Sequence, residues 1–312
     1  MNQLEKVLVT GASGFIGSNL IKGLVKKDFF INALIDKDLG NLKEIYDKNK
    51  KKIKIIKGDI LNAEKIKEAL QDVGLVFHLA GISSANGYAD NPNYFFEINA
   101  EGTRNLLENS RNRNIKKIII ASSSLVYADS SEKINEEGKT KLTSPYSQSK
   151  REAELIALKE YNKNKLPVLI VRLFNIYGEG QSTKAVIPKL ICQAINKEEI
   201  CINCAVEKDF TYIDDAVDAL IRLSQTNHFG EIINLGSGKP TSLYQLSKVL
   251  EKEFGRNLNI KYKNQDDPKE TFICDNSKIK KLISWSAEID IEEGIKKTIK
   301  YIQSHKDQYF IK

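Results

Sequence analysis

The feature that most constrains the fold of this 312-residue chain is an alternation of short aliphatic segments with longer amphipathic ones. Each aliphatic segment is as long as a strand buried on both faces, and the intervening stretches carry apolar residues at helical spacing. Strands that alternate with helices form parallel sheets covered on both faces, so the sequence predicts a doubly wound α/β fold. The predicted strands are Val7–Thr10, Ile31–Ile35, Ile53–Ile56, Leu75–Leu79, Lys117–Ala121, Val168–Leu173 and Glu231–Leu235.

The alternation becomes irregular after about Asn175, where the connections lengthen and polar loops occur. We therefore predict a Rossmann-type domain over residues 1–175 and a smaller α+β domain over residues 176–312. Strands from about 208–235 are expected to return to the first sheet.

Composition argues against several classes of function. Apolar residues make up 41% and charged residues 29% of the chain, as in ordinary globular proteins. The net charge is +7, but the lysines are scattered, so no nucleic-acid partner is expected. No apolar run of about 18 residues and no leader peptide is evident, which predicts a cytoplasmic protein without a membrane partner. Cys201 and Cys204 have the spacing of metal ligands but lack a second pair, so no metal site is expected.

A glycine-rich turn follows the first predicted strand. Gly11, Gly14 and Gly17 permit a tight turn and a close approach of backbone to a pyrophosphate, and Phe15 and Ile16 begin a helical pattern there. The N–H groups at a helix N-terminus are available to an anion. Because a strand precedes the turn and a helix follows it, we predict a dinucleotide-binding site.

The ends of the next strands supply further candidate cofactor contacts. Asp36 follows the second strand, 19 residues beyond Gly17, where a carboxylate can accept hydrogen bonds from ribose hydroxyls and repel a 2′-phosphate. NAD is therefore favoured over NADP. The other predicted contacts are Asp59 and Ile60 after the third strand, and Leu79, Ala80 and Gly81 after the fourth.

Tyrosine and lysine four residues apart share one helix face, which lets an ammonium stabilise a phenolate. Four such pairs occur, so spacing alone does not select one. Only Tyr146 follows a strand ending in serines, and only it has Ser144-Pro145 as a plausible helix start. The four pairs are Tyr46/Lys50, Tyr146/Lys150, Tyr161/Lys165 and Tyr244/Lys248.

Tyr146 is the predicted acid/base residue. A base active near neutrality would need its pKa lowered by about three units, or roughly 4 kcal/mol. Lys150, the helix N-terminus and an oxidised nicotinamide would all act in that direction. Ser123 is expected to hydrogen-bond the reacting hydroxyl while the cofactor takes the hydride, and Ser122 is expected to contact the cofactor.

These residues, in this order and spacing, resemble the extended branch of the short-chain dehydrogenase/reductase family, in its nucleotide-sugar epimerase/dehydratase group. The resemblance implies that Asn99 is the structural asparagine beside the cofactor, that Asn175 lies near the substrate diphosphate, and that Lys208 binds anions where the family often has arginine. Ser83 occupies the position of a lysine in some galactose epimerases. The resemblance also implies a homodimer formed through the helices that contain Tyr94–Asn109 and Tyr146–Tyr161.

One departure from the family pattern narrows the predicted chemistry. Where the dehydratases commonly carry an acid, two positions before the tyrosine of their Val-Tyr-Gly motif, this chain has Leu125, with Ser124 beside it. Dehydration is therefore disfavoured, and we predict an NAD-dependent nucleotide-sugar 4-epimerase. A nucleotide-sugar 4-ketoreductase or 4-dehydrogenase shares the same motifs and stays open. An inactive NAD-binding or RNA-binding module is a third possibility.

Overall fold

The computed structural model describes residues 5–83, 91–264 and 270–310. Its strands are β1 Lys6–Thr10, β2 Phe30–Ile35, β3 Ile53–Lys57, β4 Leu75–His78, β5 Lys117–Ser123, β6 Val168–Leu173, β7 Ile176–Tyr177, β8 Ile200–Asn203, β9 Val206–Asp209, β10 Thr211–Tyr212, β11 Glu231–Leu235, β12 Pro240–Ser242, β13 Ile260–Lys263 and β14 Glu270–Phe272. Its helices are α1 Phe15–Lys26, α2 Lys43–Lys48, α3 Ala63–Ala69, α4 Pro92–Phe95, α5 Gly102–Ser110, α6 Pro145–Asn164, α7 Val186–Asn196, α8 Ile213–Ser224, α9 Leu243–Phe254, α10 Ser277–Ile283, α11 Ile291–Ser304 and α12 Lys306–Tyr309. A π-helical segment, Phe96–Glu101, joins α4 to α5, and a 3₁₀ turn, Ser124–Val126, follows β5.

A seven-stranded sheet contains all seven predicted strands, in the order β11-β6-β5-β4-β1-β2-β3. Each neighbouring pair from β3 to β6 is parallel. The order reverses at β1, which is typical of doubly wound dinucleotide-binding folds. The predicted fold class is confirmed.

The sheet is covered by helices because its strands are apolar on both sides. Val7, Leu8 and Val9 of β1 are fully buried. One hydrophobic cluster joins Leu8 to side chains of α3, α5 and α6. At Gly23 on α1, an added Cβ would lie 2.7 Å from the side chain of Val217 on α8, so glycine permits close packing of these two helices.

The chain divides into two compact units. The first comprises Met1–Tyr127, Thr140–Leu173 and Val217–Ile233. The second comprises Ala128–Lys139, Phe174–Ala216 and Asn234–Lys312 and contains the smaller sheets β10-β7, β12-β9-β14 and β13-β8. Of the two segments expected to return to the large sheet, Glu231–Leu235 does so as β11, whereas Thr211–Tyr212 pairs with Ile176–Tyr177 instead. The division into a cofactor domain and a substrate domain stays a prediction.

Candidate active site

The glycine-rich turn between β1 and α1 folds tightly upon itself. Gly11 has φ +65°, and an added Cβ there would lie 2.8 Å from the backbone nitrogen of Ala80. The N–H of Gly14 donates to the Gly11 carbonyl at 3.1 Å. A Cβ at Gly17 would collide with that same carbonyl. Close backbone packing at the end of β1 thus requires glycine at positions 11 and 17.

Helix α1 begins at Phe15, with Ile16 and Gly17 in its first turn, and Gly14 is its N-cap. Because the N-cap is a glycine, it has no side chain to cap this end of the helix. The first-turn N–H groups are therefore available to an anionic ligand, and the helix dipole favours negative charge at the same place. The turn and the helix start fit the pyrophosphate of a dinucleotide.

The predicted carboxylates follow β2 and β3, the two strands on one side of β1. Asp36 directly follows β2, which pairs with β1, and its side chain is exposed. Asp59 follows β3 and is also exposed, and its carboxylate accepts a hydrogen bond from the N–H of Leu61 at 2.8 Å. Ile60 is buried, and its carbonyl accepts from the Asn105 amide at 2.7 Å. The exposed carboxylate of Asp36 fits an adenosine ribose.

The segment after β4 lies against the glycine-rich turn and against α6. The backbone of Leu79 and Ala80 lies directly against the place where Gly11 would carry a Cβ. A Cβ added at Gly81 would lie 2.7 Å from Asn99 Oδ1 and 3.2 Å from Lys150 Nζ. The predicted small residues therefore allow the ammonium of Lys150 to approach this backbone.

Asn99 lies in the π-helical segment and is buried. Its Oδ1 accepts from the N–H of Ile82 at 2.9 Å, and its Nδ2 donates to the Ile82 carbonyl at 3.2 Å and to Ser149 Oγ at 3.0 Å. Both amide hydrogens are thus used within the protein. In this structure Asn99 fixes the segment after β4 to α6, and a contact with the cofactor stays a prediction.

Helix α6 begins as predicted from Ser144 and Pro145. Ser144 is the N-cap, and its hydroxyl accepts from the N–H of Ser147 at 3.1 Å in a capping box. Pro145 occupies the first helical position. Tyr146 therefore lies in the first turn, and this part of the prediction is confirmed.

Three consecutive residues at the end of β5 hold one face of α6. The Ala121 carbonyl accepts from Lys150 Nζ at 2.9 Å, and the Ser123 hydroxyl lies near enough to the Tyr146 phenol to lower its pKa. Ser123 also accepts from the N–H of Leu125 at 3.2 Å, which orients its hydroxyl. The structure thus brings the three predicted catalytic residues together at one strand end.

Burial raises the pKa of Tyr146, and the hydrogen bond from Ser123 offsets that rise only in part. Desolvation disfavours the phenolate because it removes water from a charged group. That Lys150, the helix N-terminus and an oxidised nicotinamide lower this pKa stays a prediction. Burial has the opposite effect on Lys150. The pKa of its ammonium is lowered to about 8, although the negative charge of Glu154 acts to raise it.

Glu154 and Arg172 were missed by the sequence analysis as functional residues. Glu154 is fully buried, and its carboxylate accepts two hydrogen bonds from Arg172, each at 2.7 Å, and one from Arg151. Burial alone would raise the pKa of Glu154, but these cations hold it below its ordinary value. Arg172 also stacks on the ring of Tyr127 at 4.5 Å. The signal for Glu154 in the sequence is its spacing. It follows Tyr146 by eight residues, or twice the i, i+4 spacing that puts side chains on one face of a helix.

The hydroxyl of Ser122 donates to Glu154 Oε1 at 2.6 Å. This side chain, predicted to contact the cofactor, is therefore engaged in holding β5 to α6. In a contact with the cofactor, this hydroxyl would act as the acceptor, because its hydrogen is used in the bond to Glu154.

The other residues predicted near the substrate lie in separate places. Ser83 is exposed at the end of the segment that follows β4, and Leu125 is 45% exposed in the 3₁₀ turn after Ser123. In the second unit, Asn175 Nδ2 donates to the Asp209 carbonyl at 3.1 Å. Lys208, one residue earlier on β9, is half-buried. Contacts of Ser83, Asn175 and Lys208 with a substrate stay predictions.

Two features are absent from the described residues, a cluster of metal ligands and a membrane-spanning helix. Within residues 5–83, 91–264 and 270–310, no three histidine, cysteine, aspartate or glutamate side chains are grouped as metal ligands. No helix in the same ranges has the length and apolarity needed to cross a bilayer.

Comparison with known proteins identifies the family. The sequence profile of the NAD-dependent epimerase/dehydratase family matches residues 7–236. The chain is 33% identical to a UDP-glucuronate 4-epimerase of Thermodesulfobacterium geofontis, over 94% of this chain and 95% of that one. It is 29% identical to the dTDP-D-glucose 4,6-dehydratase of Mus musculus, over 96% and 89% of the two chains.

Among solved structures, the fold is similar to that of the UDP-glucuronic acid 4-epimerase of Bacillus cereus, crystallised with UDP-glucuronic acid and NAD. The TM-score is 0.87 at 27% identity, with 96% of this chain and 99% of that chain covered. The matched profile begins in β1 and includes the glycine-rich turn, the serines of β5 and the start of α6. The predictions of an enzyme and of NAD as its cofactor are thereby confirmed, and the chain belongs to the NAD-dependent epimerase/dehydratase family.

Proposed function

We propose that this protein is a nucleotide-sugar 4-epimerase, in which Tyr146 moves the proton of the C4 hydroxyl. The observation that carries the proposal is the convergence of Ser123, Tyr146 and Lys150 at the end of β5. Two of the relatives described above are named as 4-epimerases of UDP-glucuronate or UDP-glucuronic acid, which supports the same chemistry.

The residues that would hold NAD follow from the structure of the first unit. The glycine-rich turn and the first turn of α1 would bind the pyrophosphate, Asp36 the adenosine ribose, and Lys150 the nicotinamide ribose. Bound NAD supplies a reversible two-electron oxidation of the C4 carbinol. The ketone formed at C4 can then turn over in the site and be reduced on its other face.

Proton transfer is the task of Tyr146 and Ser123. Ser123 lies between the phenol and the turn after β5, so its hydroxyl can hydrogen-bond the C4 oxygen and hold it for Tyr146. Because burial favours the neutral phenol in the protein alone, the phenolate requires nearby positive charge. The ammonium of Lys150 and the oxidised nicotinamide would supply that charge.

The turn after β5 argues against dehydration, although the dehydratase relatives share the fold. Elimination of water needs an acid or base at a second carbon of the sugar. Ser124 is buried and Leu125 is an exposed leucine, so this turn offers no carboxyl group for that step. We therefore place epimerisation ahead of elimination.

The substrate contacts and the dimer belong to the same proposal. Lys208 and Asn175 would bind the diphosphate in the second unit, with Ser83 near the sugar. The family resemblance implies a homodimer formed through the helices that contain Tyr94–Asn109 and Tyr146–Tyr161. Light scattering would detect a mass of about twice 35.2 kDa, and a monomer would remove this part of the proposal.

A panel of UDP-, GDP-, CDP- and dTDP-sugars tests the activity, with UDP-glucuronate first. We expect the C4 epimers to interconvert, as measured by NMR, with no net formation of reduced nicotinamide. Stoichiometric conversion of cofactor would instead identify a ketoreductase or dehydrogenase. No turnover together with steep salt-dependent RNA binding would identify a binding module.

A further inference from the structure

A buried histidine connects the two halves of the cofactor site. His78, the last residue of β4, is 2% exposed. Its Nδ1 lies 2.8 Å from Thr10 Oγ1, at the end of β1, and its Nε2 lies 2.9 Å from Thr103 Oγ1 on α5. Neither hydroxyl is near the surface, because both threonines are also buried.

The hydrogen bonds around this ring determine its tautomer. Thr103 Oγ1 lies 2.6 Å from the Asn99 carbonyl, a distance between two oxygens that requires the threonine hydrogen between them. Thr103 must therefore accept from His78 Nε2–H. Thr10 Oγ1 accepts from the N–H of Ala80 at 3.0 Å and has its own hydrogen left for Nδ1. Every hydrogen in the chain is thus assigned, and the ring carries its proton on Nε2.

The ring is also kept neutral. Burial, together with the positive charge of Lys150, lowers the pKa of His78 to about 3. Protonation at Nδ1 would add a second donor where only the Thr10 hydroxyl is present. The tautomer is therefore independent of pH across the range in which enzymes of this kind are assayed.

The two ends of this chain of hydrogen bonds reach different parts of the site. One end is the N–H of Ala80, beside Gly11. The other end is Asn99, whose Nδ2 donates to Ser149 Oγ, and Ser149 donates in turn to the Tyr146 carbonyl at 2.8 Å. A single ring thus lies between the glycine-rich turn and the first turn of α6.

We propose that His78 is a positioning residue whose Nδ1 side fixes the cofactor-binding segment after β4 and whose Nε2 side fixes the catalytic turn of α6. Hydrogen-bonded side chains behind a site hold the groups that touch the ligand, although they do not touch it themselves. The two functions are separable because each belongs to one nitrogen of the ring. NAD affinity would depend on Nδ1, and turnover would depend on Nε2.

The tautomer is measured first, on the wild-type full chain. The sequence contains only three histidines, so ¹⁵N labelling of histidine gives few signals to assign. We expect one ring with Nε2 protonated and Nδ1 unprotonated that does not titrate between pH 5 and 8, and whose signals shift when NAD is added. A proton on Nδ1, or titration of this ring near its ordinary pKa, would overturn the proposal. His228 and His305 provide internal references.

Two amide substitutions then separate the two nitrogens. His78→Gln keeps a donor at the Nε2 position but removes the acceptor for Thr10, whereas His78→Asn keeps an acceptor near Nδ1 and removes the donor to Thr103. Losing one buried hydrogen bond changes an equilibrium about three- to tenfold. We expect the Gln variant to raise the NAD dissociation constant by that factor. The Asn variant should leave NAD affinity within about twofold and lower kcat by that factor.

His228→Gln is the matched control, because this ring is on the surface and bonds Glu231. It should bind NAD and turn over like the wild type. Equal losses of affinity and turnover in both His78 variants, or wild-type values in both, would overturn the proposal. Only the kcat measurement rests on the proposed function. If the wild type turns over no nucleotide sugar, the tautomer and the NAD affinities still decide the role of His78.

Discussion

Helix α6 carries the same Tyr-x-x-x-Lys spacing at both ends, and the two pairs have different surroundings. At the start, Ser123 acts to lower the pKa of Tyr146, and Lys150 donates to the Ala121 carbonyl. At the end, Lys165 is the C-cap residue and is exposed. Its Nζ lies 5.8 Å from the centre of the Tyr161 ring. Lys165 thus lies over the ring of Tyr161, whereas Lys150 is held by the backbone of β5.

The two pairs thus differ in whether a strand contributes to their surroundings. Tyr161 packs against Gly230, where an added Cβ would collide with the ring, so its neighbours are packing partners. Tyr146 meets a serine from β5 and the edge of Phe95, at 6.0 Å between ring centres. The pairs at Tyr46 and Tyr244 resemble the distal one, since each lysine lies within 6 Å of its ring centre.

The largest expected effect comes from removing the phenol at the start of α6. Tyr146→Phe should lower kcat about 10²- to 10⁴-fold, because positioned acid/base groups contribute that much. NAD binding and the melting temperature should stay close to those of the wild type. Steady-state kinetics with the active nucleotide sugar provide the measurement.

Tyr161→Phe is the control at the other end of the helix. Its turnover should stay within about twofold of the wild type, because nothing at that end resembles an acid/base site. Equal losses from the two substitutions would refute the distinction between the pairs.

The next effect concerns the carboxylates that anchor α6. Glu154→Gln should destabilise the protein by about 3–5 kcal/mol, because it leaves the buried cation of Arg172 without its partner. Glu160→Gln, near the end of the helix, should cost only about 1 kcal/mol, since Arg111 remains 38% exposed to water. Urea denaturation of both variants measures the difference, and equal costs would count against a special anchor behind the catalytic turn.

A smaller loss is expected at the serine that orients the reaction. Ser123→Ala should lower kcat about tenfold to a hundredfold, because a hydrogen bond to a developing charge contributes about 1.5–3 kcal/mol. Ser124→Ala, in the adjacent buried position, should have little effect on kcat. An equal loss in both variants would show that the strand end matters only for packing.

The smallest effect is a dependence on pH. Because the pKa of Lys150 is lowered to about 8, its ammonium is lost as the pH rises through that value, and kcat/KM should fall on this side. Lys165→Met should not change the profile, since this lysine is exposed and remote from the site. A profile that stays flat to pH 9.5 would contradict the role assigned to the Lys150 charge.

Local patterns predicted the parts of the structure that depend on neighbours in sequence. All seven buried strands and the Ser144-Pro145 start of α6 were legible, because periodicity and capping act over a few residues. The bonds behind the site were not, since they join residues far apart. His78 and Thr10 are 68 positions apart, so no local signal connects them.

The burial that raises the pKa of Tyr146 in the protein alone was not legible in the sequence for the same reason. The charge of Lys150 is visible in the sequence, but the burial that opposes it depends on several elements packing together. In the same way, no local pattern predicts the hydrogen bond from Ser122 to Glu154 or the pairing of Glu154 with Arg172 of β6.

A nucleotide sugar carrying deuterium at C4 gives the most direct test of the role of Tyr146 at the start of α6. With the wild-type enzyme, the C4 epimer should form with the deuterium still on C4 and with no lasting absorbance of reduced nicotinamide, and Tyr146→Phe should form almost none. Loss of the label to solvent, or a C4 epimer formed as fast by Tyr146→Phe as by the wild type, would contradict the account.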